Sequence, residues 1–93
     1  MKLPKDYDSL SAYDRRAVRE EYIKRQKGKC MFCKEPLSDP PPKRVTNKSI
    51  DLSYFPDGFL NHPVHLQHSH STGMTEGAVH AYCNAVLWQY KGR

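Results

Sequence analysis

The stretch 65-HLQHSHSTGMTEGAVHAYCN-84 decides the fold of this chain. It holds four of the five histidines and one of the three cysteines. Histidine and cysteine are common zinc ligands, and histidine also moves protons near neutral pH. A run so rich in both residue types indicates a metal centre, an active site, or the two side by side.

The end of this stretch, His80-Ala-Tyr-Cys83, repeats the two-residue gap of Cys30-Met-Phe-Cys33. The two pairs together form a Cys3His set, a common composition of tetrahedral structural zinc sites. We predict a zinc ion with four ligands: Cys30, Cys33, His80 and Cys83. Three histidines could compete for the fourth place: His62, His65 and His70. The alternatives to zinc are a redox pair at the first motif and an unligated Cys83.

The composition explains why such a centre is needed. The chain has 93 residues, of which 38% are hydrophobic and seven are proline. A domain of this size buries a modest core and often needs a metal staple. An odd number of cysteines and the lack of an apolar N-terminal run argue against a secreted disulfide framework, and no stretch is apolar enough to span a membrane. We expect one soluble, cytoplasmic domain over residues 1–93.

The basic residues are concentrated near the N-terminus. Residues 1–29 carry nine Lys or Arg against five Asp or Glu, whereas residues 30–93 carry six against five. A clustered positive charge fits a polyanionic partner, most commonly nucleic acid. Charge alone fits a solvated helix face equally well.

The pattern of residues predicts an α+β domain with a basic helical segment, 1–29, and a knuckle-containing core, 30–93. Ser11 and Asp14 have capping-box spacing, and Gly28 ends the helix that they begin. We predict the following elements: a helix over 12–27, a short strand near 44–52, strands over 64–68 and 77–81, and a helix over 83–92.

The first helix has an apolar and a basic side. The apolar residues are Leu10, Tyr13, Ala17, Val18 and Tyr22, and the basic ones are Arg15, Arg16, Arg19 and Lys27. We expect the small core around zinc to contain Leu87, Trp88 and the N-terminal aromatic residues. Trp88 and Tyr90 are accordingly expected to pack rather than to stack on bases.

Once zinc takes His80 and Cys83, the stretch still contains His68 and Asn84. A hairpin followed by a helix would bring these two side chains close, although they are 16 residues apart. A neutral imidazole can accept a proton from water, and a carboxamide oxygen can bind a hard divalent cation. This combination suits phosphodiester hydrolysis, in which the cation stabilises the charge on the leaving oxygen.

The ordered set Cys-x2-Cys, LQHSHSTGMTEG and HAYCN resembles the HNH (ββα-metal, or His-Me finger) endonucleases, especially the branch like phage recombination endonuclease VII. The resemblance covers about a third of the chain. It implies a zinc-stapled ββα-metal fold with structural zinc on Cys30, Cys33, His80 and Cys83. It also implies that His68 is the general base and that Asn84 binds a catalytic Mg²⁺ or Mn²⁺.

The chain departs from this family at the acidic position before the general base. Gln67 stands where the family has a metal-binding carboxylate, and Ser69 occupies the next acidic place. There are three alternatives: the Gln67 carbonyl oxygen binds the cation, the activity has been lost, or another residue binds the cation, with four candidates: His65, His70, Asp51 and Asp57. Adjacent strand residues face opposite ways, so Gln67 and His68 share one site only if the strand ends or bulges there.

The resemblance implies hydrolysis of DNA in a phage or restriction setting, with 5′-phosphate and 3′-hydroxyl products. Salt-sensitive phosphate contacts are expected from five residues: Arg15, Arg16, Arg19, Lys27 and His70. A homodimer would be the simplest way for so small a domain to cut both strands. The alternatives are a non-catalytic zinc module that binds nucleic acid and, more remotely, a protein-binding zinc knuckle.

Overall fold

The computed structural model describes residues 1–92, and Arg93 lies outside the described range. Within that range the chain forms three α-helices and one two-stranded antiparallel sheet. The elements in chain order are α1 (Ala12–Arg25), α2 (Lys43–Thr46), β1 (Val64–His68), β2 (Thr75–His80) and α3 (Ala81–Lys91). The predicted α+β class is therefore confirmed.

Helix α1 begins at the predicted residue because its first turn is capped. The Ser11 hydroxyl oxygen accepts a hydrogen bond from the Asp14 amide at 3.1 Å, which satisfies one free N–H group of the first turn. The helix ends at Arg25, two residues before the predicted end. The chain then turns through Gly28, whose φ of +76° suits glycine and whose amide donates to the Ile23 carbonyl oxygen.

The pairing of β1 with β2 is irregular next to Gln67 and His68, two residues of the predicted chemical site. Strand β1 has the predicted bounds, while β2 begins at Thr75 rather than at the predicted Gly77. Gln67 is paired with Gly77, but the next residue, His68, is paired with Thr75. Glu76 is thus the extra residue of a β-bulge. Strand β1 itself ends at His68, opposite this bulge, which meets the condition under which Gln67 and His68 can face one site, and both residues line the same cavity.

The N-terminal segment lies along the start of β2. The Thr75 amide donates to the Lys5 carbonyl oxygen at 2.8 Å, and the Tyr7 amide donates to the Gly73 carbonyl oxygen at 2.9 Å. The Tyr22 hydroxyl, from α1, lies 3.0 Å from the Thr75 hydroxyl. These long-range contacts hold Tyr7 and α1 against the turn end of the hairpin, where β1 ends and β2 begins.

The turn 30-CMFC-33, called the knuckle below, packs directly on the backbone of β2. The Gln26 side chain bonds both the N–H and the C=O of Ala78 at 2.9 Å, and the Met31 amide also donates to the Ala78 carbonyl oxygen. A Cβ at Gly77 would lie 2.7 Å from the Met31 sulfur and 2.8 Å from Gln26 Oε1. Only glycine allows such a close approach at this position.

The segment between the knuckle and the hairpin contradicts one prediction. The strand expected near 44–52 is absent from the described chain, which forms α2 and then a 3₁₀ turn over Leu52–Tyr54. Pro42 precedes the first turn of α2 with a φ of −69° and no side-chain cap. Its ring restricts the backbone to values compatible with a helix start, and Val45 is then buried in the core.

The core lies around the knuckle, β2 and α3. Its buried residues are Cys30, Cys33, Leu37, Val45, Ala78, Val79, Cys83, Val86 and Leu87. Leu87 is buried as expected, but Trp88 is 37% exposed and Tyr13 is 81% exposed, so their assignment to the core or to the packed helix side is wrong. Tyr13 lies opposite Val18, the buried residue of α1.

No helix among residues 1–92 has the length and apolar character needed to cross a membrane.

Candidate zinc centre and adjoining cavity

Four buried side chains converge at the junction of the knuckle, β2 and α3: Cys30, Cys33, His80 and Cys83. Their ligand atoms all lie within 4.8 Å of one another, and His80 Nδ1 is 3.4 Å from the Cys33 sulfur and 3.6 Å from the Cys83 sulfur. Tetrahedral bonds of about 2.0–2.3 Å place neighbouring ligand atoms roughly 3.5–3.8 Å apart. The cluster therefore fits a zinc ion.

Hydrogen-bond partners on the side of the His80 ring away from the sulfurs determine which ring nitrogen can bind a metal. His80 Nε2 lies 3.0 Å from the Pro36 carbonyl oxygen and 2.9 Å from that of Asp39. Both partners are acceptors, so Nε2 must carry the proton and Nδ1 presents its lone pair to the three sulfurs. Such an outer contact fixes the tautomer and the orientation of a metal-binding histidine. This geometry favours His80 over the other histidines as the fourth ligand.

The three thiols perturb one another strongly. A hydrogen bond from the Cys83 thiol lowers the pKa of Cys30 to about 4, while the same contact raises the pKa of Cys83. Burial raises the pKa of Cys33. Three thiolates cannot coexist at this separation without a cation, because each repels the others in a poorly solvated core. A bound dication removes that conflict, as zinc does in structural sites.

A second candidate site lies beside this cluster, in an open cavity of about 670 Å³. The residues of the predicted chemical site that line it are Arg15, Arg19, His65, Gln67, His68, His70 and Asn84. Arg16 and Lys27 are exposed elsewhere on the surface. Asp51 and Asp57, two of the acidic alternatives for metal binding, do not line the cavity.

His68 is the central member of a stack of rings. The Tyr7 ring lies 3.9 Å from the imidazole centroid with an interplanar angle of 11°, and His70 lies 5.1 Å away on a plane tilted by 19°. The Arg15 guanidinium covers Tyr7 at 3.9 Å. Burial, followed by the neighbouring His70, lowers the pKa of His68. A lowered pKa favours the neutral form of the imidazole, which can accept a proton.

Asn84 lies in the first turn of α3, where its amide nitrogen is 3.1 Å from His65 Nδ1. The expected approach of His68 and Asn84 takes the form of a shared cavity, while the direct partner of Asn84 is His65. Burial lowers the pKa of His65, whose ring also meets the edge of Phe59 at 4.7 Å. The helix begins at Ala81, so Asn84 is not its N-cap.

Gln67 is 2% exposed, and its amide nitrogen has two partners. It donates to the His68 carbonyl oxygen at 3.0 Å and to Glu76 Oε1 at 3.2 Å. These contacts leave the amide oxygen as the atom with which Gln67 can serve a cation. Sequence reasoning missed Glu76, because a regular strand gives no sign that the residue before Gly77 is the extra one in a bulge.

The chain has no significant match among family models, curated proteins or solved structures. Its chemistry must therefore be inferred from the side chains themselves. They form a closed Cys3His cluster and an open cavity lined by histidines, two amides and two arginines.

Proposed function

We propose that this protein is a metal-dependent HNH endonuclease that hydrolyses DNA phosphodiester bonds. The observation that carries the proposal is one cavity lined by a neutral histidine, His68, an amide, Asn84, and two arginines, Arg15 and Arg19. The hairpin that carries His68 and the helix α3 that carries Asn84 also contain His80 and Cys83 of the Cys3His cluster, as expected for a zinc-stapled ββα-metal domain, while α1 supplies the arginines. Together these side chains supply what phosphodiester hydrolysis requires: a general base, a ligand for the cation and positive charge that binds phosphate.

In this proposal His68 is the general base. Its lowered pKa keeps the imidazole unprotonated at physiological pH. The parallel stack on Tyr7 restricts the ring plane, so that a ring nitrogen points in one direction. A base held in this way removes a proton from water as the water attacks the phosphorus atom, and the products carry 5′-phosphate and 3′-hydroxyl ends.

The amide oxygens of Asn84 and Gln67 would hold the divalent cation, and His65 is the best placed of the other candidates because it touches Asn84. When bound, Mg²⁺ or Mn²⁺ would stabilise the negative charge of the leaving oxygen. All three side chains are neutral, and hard Mg²⁺ prefers carboxylates whereas imidazole suits transition metals. The donor set therefore favours Mn²⁺ over Mg²⁺.

DNA would approach from the side of α1. Arg15 and Arg19 line the cavity, so they would contact phosphates next to the scissile bond, with His70 at the rim. Arg16 and Lys27 would contact phosphates further away, because they are exposed outside the cavity. Contacts of this kind carry little sequence information and weaken as salt rises. A homodimer is part of the proposal for double-strand cleavage, and sedimentation of a monomer at high concentration would remove it.

Nicking of supercoiled plasmid tests the activity. Wild-type protein with Mn²⁺ or Mg²⁺ is expected to convert the plasmid to open circles, and His68→Ala should be slower by roughly 10²–10⁴-fold. Tyr13→Ala is the matched control, because Tyr13 is exposed on α1 and away from the cavity. Zinc content and circular dichroism should be the same in all three proteins.

The competing function is a zinc module that binds nucleic acid without cutting it. The observation in its favour is Gln67, whose amide stands in the acidic position and is engaged by Glu76. Equal plasmid binding by wild type and His68→Ala, with no nicking by either protein, would support this module and reject the endonuclease.

A further inference from the structure

Four aromatic residues form a continuous wall along one side of the cavity. The Trp88 ring meets the edge of Phe55 at 5.3 Å and lies 6.1 Å from Tyr54. Phe55 stacks on Phe59 at 4.7 Å. Tyr54 is 58% exposed and Trp88 37% exposed. A small domain with little apolar material thus leaves two of its largest rings in contact with water, which points to a binding role.

The wall is continuous with the chemical groups. Phe59 touches His65, the partner of Asn84, and His70 lies 6.5 Å from Trp88. Arg15 and Arg19 line the same cavity. Its volume of about 670 Å³ falls within the usual range for sites that enclose a small organic group.

Exposed aromatic ring faces beside arginines fit a nucleotide whose base is not paired. Inside a duplex, both faces of a base are covered by its neighbours, so the base cannot stack on a protein ring. A base in a single strand, or one extruded from the helix, offers its face to aromatic side chains without any sequence requirement. The arginines provide the charge that the adjoining phosphates need.

We propose that the wall of Tyr54, Phe55, Phe59 and Trp88 receives an unpaired nucleobase next to the phosphodiester bond in the cavity. DNA with a gap, a flap or an extruded base is then the preferred substrate, and continuous duplex a poor one. This inference rests on the proposed function for the position of the scissile bond, but the base-binding wall can be measured without any cleavage.

Trp88 provides the probe, since it is the only tryptophan in the chain. The His68→Ala protein, loaded with zinc and without added Mg²⁺ or Mn²⁺, is titrated with a duplex, with the same duplex containing a central gap, and with the single strand. Stacking should quench Trp88 emission with the gapped and single-stranded DNA, whereas continuous duplex should leave it nearly unchanged.

Two substitutions and two controls test the wall itself. Trp88→Leu and Tyr54→Leu should weaken binding of the gapped DNA by roughly 5- to 100-fold, the range for loss of one base–aromatic stack, and should not affect the duplex. Trp88→Phe, followed by DNA fluorescence anisotropy, should restore most of the affinity. Tyr13→Leu removes an exposed aromatic ring outside the cavity and should bind as the parent does.

The outcomes separate this inference from the endonuclease. Equal quenching by gapped and continuous DNA, or wild-type affinity in Trp88→Leu, overturns the unpaired-base site even if the wild type nicks plasmid. Selective quenching by gapped DNA together with no cleavage of any substrate supports the base site and overturns the endonuclease.

Discussion

Cys83 and Asn84 are neighbours on α3, yet they belong to two regions built in opposite ways. Cys83 is fully buried and belongs to the Cys3His cluster, in which every side chain is a thiol or an imidazole that can bind a metal strongly. Asn84 lines an open cavity whose candidate cation ligands are neutral. A closed set of soft ligands gives a permanent structural ion, whereas an open set of neutral ligands suits a weakly held cation that leaves room for substrate.

The largest expected effect is the loss of the zinc centre. Cys83→Ser should lose zinc and unfold, because structural zinc contributes about 10 kcal/mol or more in small domains and total stabilities are only about 5–15 kcal/mol. Metal analysis by mass spectrometry and thermal melting by circular dichroism measure both consequences. Lys29→Ala, an exposed change beside the knuckle, is the control. A Cys83→Ser protein with full zinc and an unchanged melting temperature would contradict the structural role.

The next effect concerns Gly77, which lies between the two regions. An alanine there would press its Cβ against Met31 and Gln26, and overpacking of this kind costs about 1–3 kcal/mol. Urea unfolding of the zinc-loaded protein measures the loss. The double variant Gly77→Ala/Met31→Ala lacks the closer contact, the one with the sulfur. Its loss of stability should therefore be smaller than the sum of the losses in the two single variants. Wild-type stability in Gly77→Ala would show that the knuckle adjusts freely.

A third prediction concerns the cation in the cavity. Gln67→Asp places a carboxylate where the amide now lies, and with Glu76 nearby it should lower the half-saturating Mg²⁺ concentration for nicking about tenfold. Thermal melting with and without Mg²⁺ reports whether the buried charge is tolerated. Gln67→Asn is the neutral control. The same Mg²⁺ dependence in both variants would exclude Gln67 from the cation site.

The smallest effect is a shift in pH dependence. Burial lowers the pKa of His68, and a base must be neutral, so activity is present above the folded pKa and is lost as the pH falls through it. In the pH profile of the wild type, the decline of activity on the acid side (the acid limb) should lie below the ordinary histidine pKa of about 6.5. Tyr7→Leu leaves the His68 ring more solvated, so it raises this pKa and moves the acid limb to higher pH. The other ionisable groups acting on the imidazole are His70, Asp8, Arg15 and Glu76.

A pH profile of plasmid nicking for wild type, Tyr7→Leu and Tyr7→Phe measures this shift. Tyr7→Phe keeps the flat ring over His68 and should retain the wild-type limb. A limb that moves equally in both variants would show that the hydroxyl, and not the stack, sets the titration.

Local patterns predicted what depends on neighbours along the chain. The capped start of α1, the bounds of β1 and the composition of the zinc cluster follow from short spacings: Ser11 to Asp14, alternating strand residues, and two pairs separated by two residues. The failures arose where distant contacts outweighed local preference. Residues 44–52 include several β-branched residues, which favour a strand. However, Pro42 starts a helical turn, and Val45 is buried in the core.

The sequence alone determined the members of the Cys3His cluster, because two short motifs with metal-ligand spacing leave few other ways to satisfy three thiols in so small a chain. Only the tertiary structure decided which groups share the cavity. The stack of Tyr7 on His68 and the contact of His65 with Asn84 join residues from separate elements. The exposure of Trp88 likewise depends on how separate elements pack. Their positions depend on a β-bulge and on the docking of the N-terminal segment, and neither has a signature in local spacing.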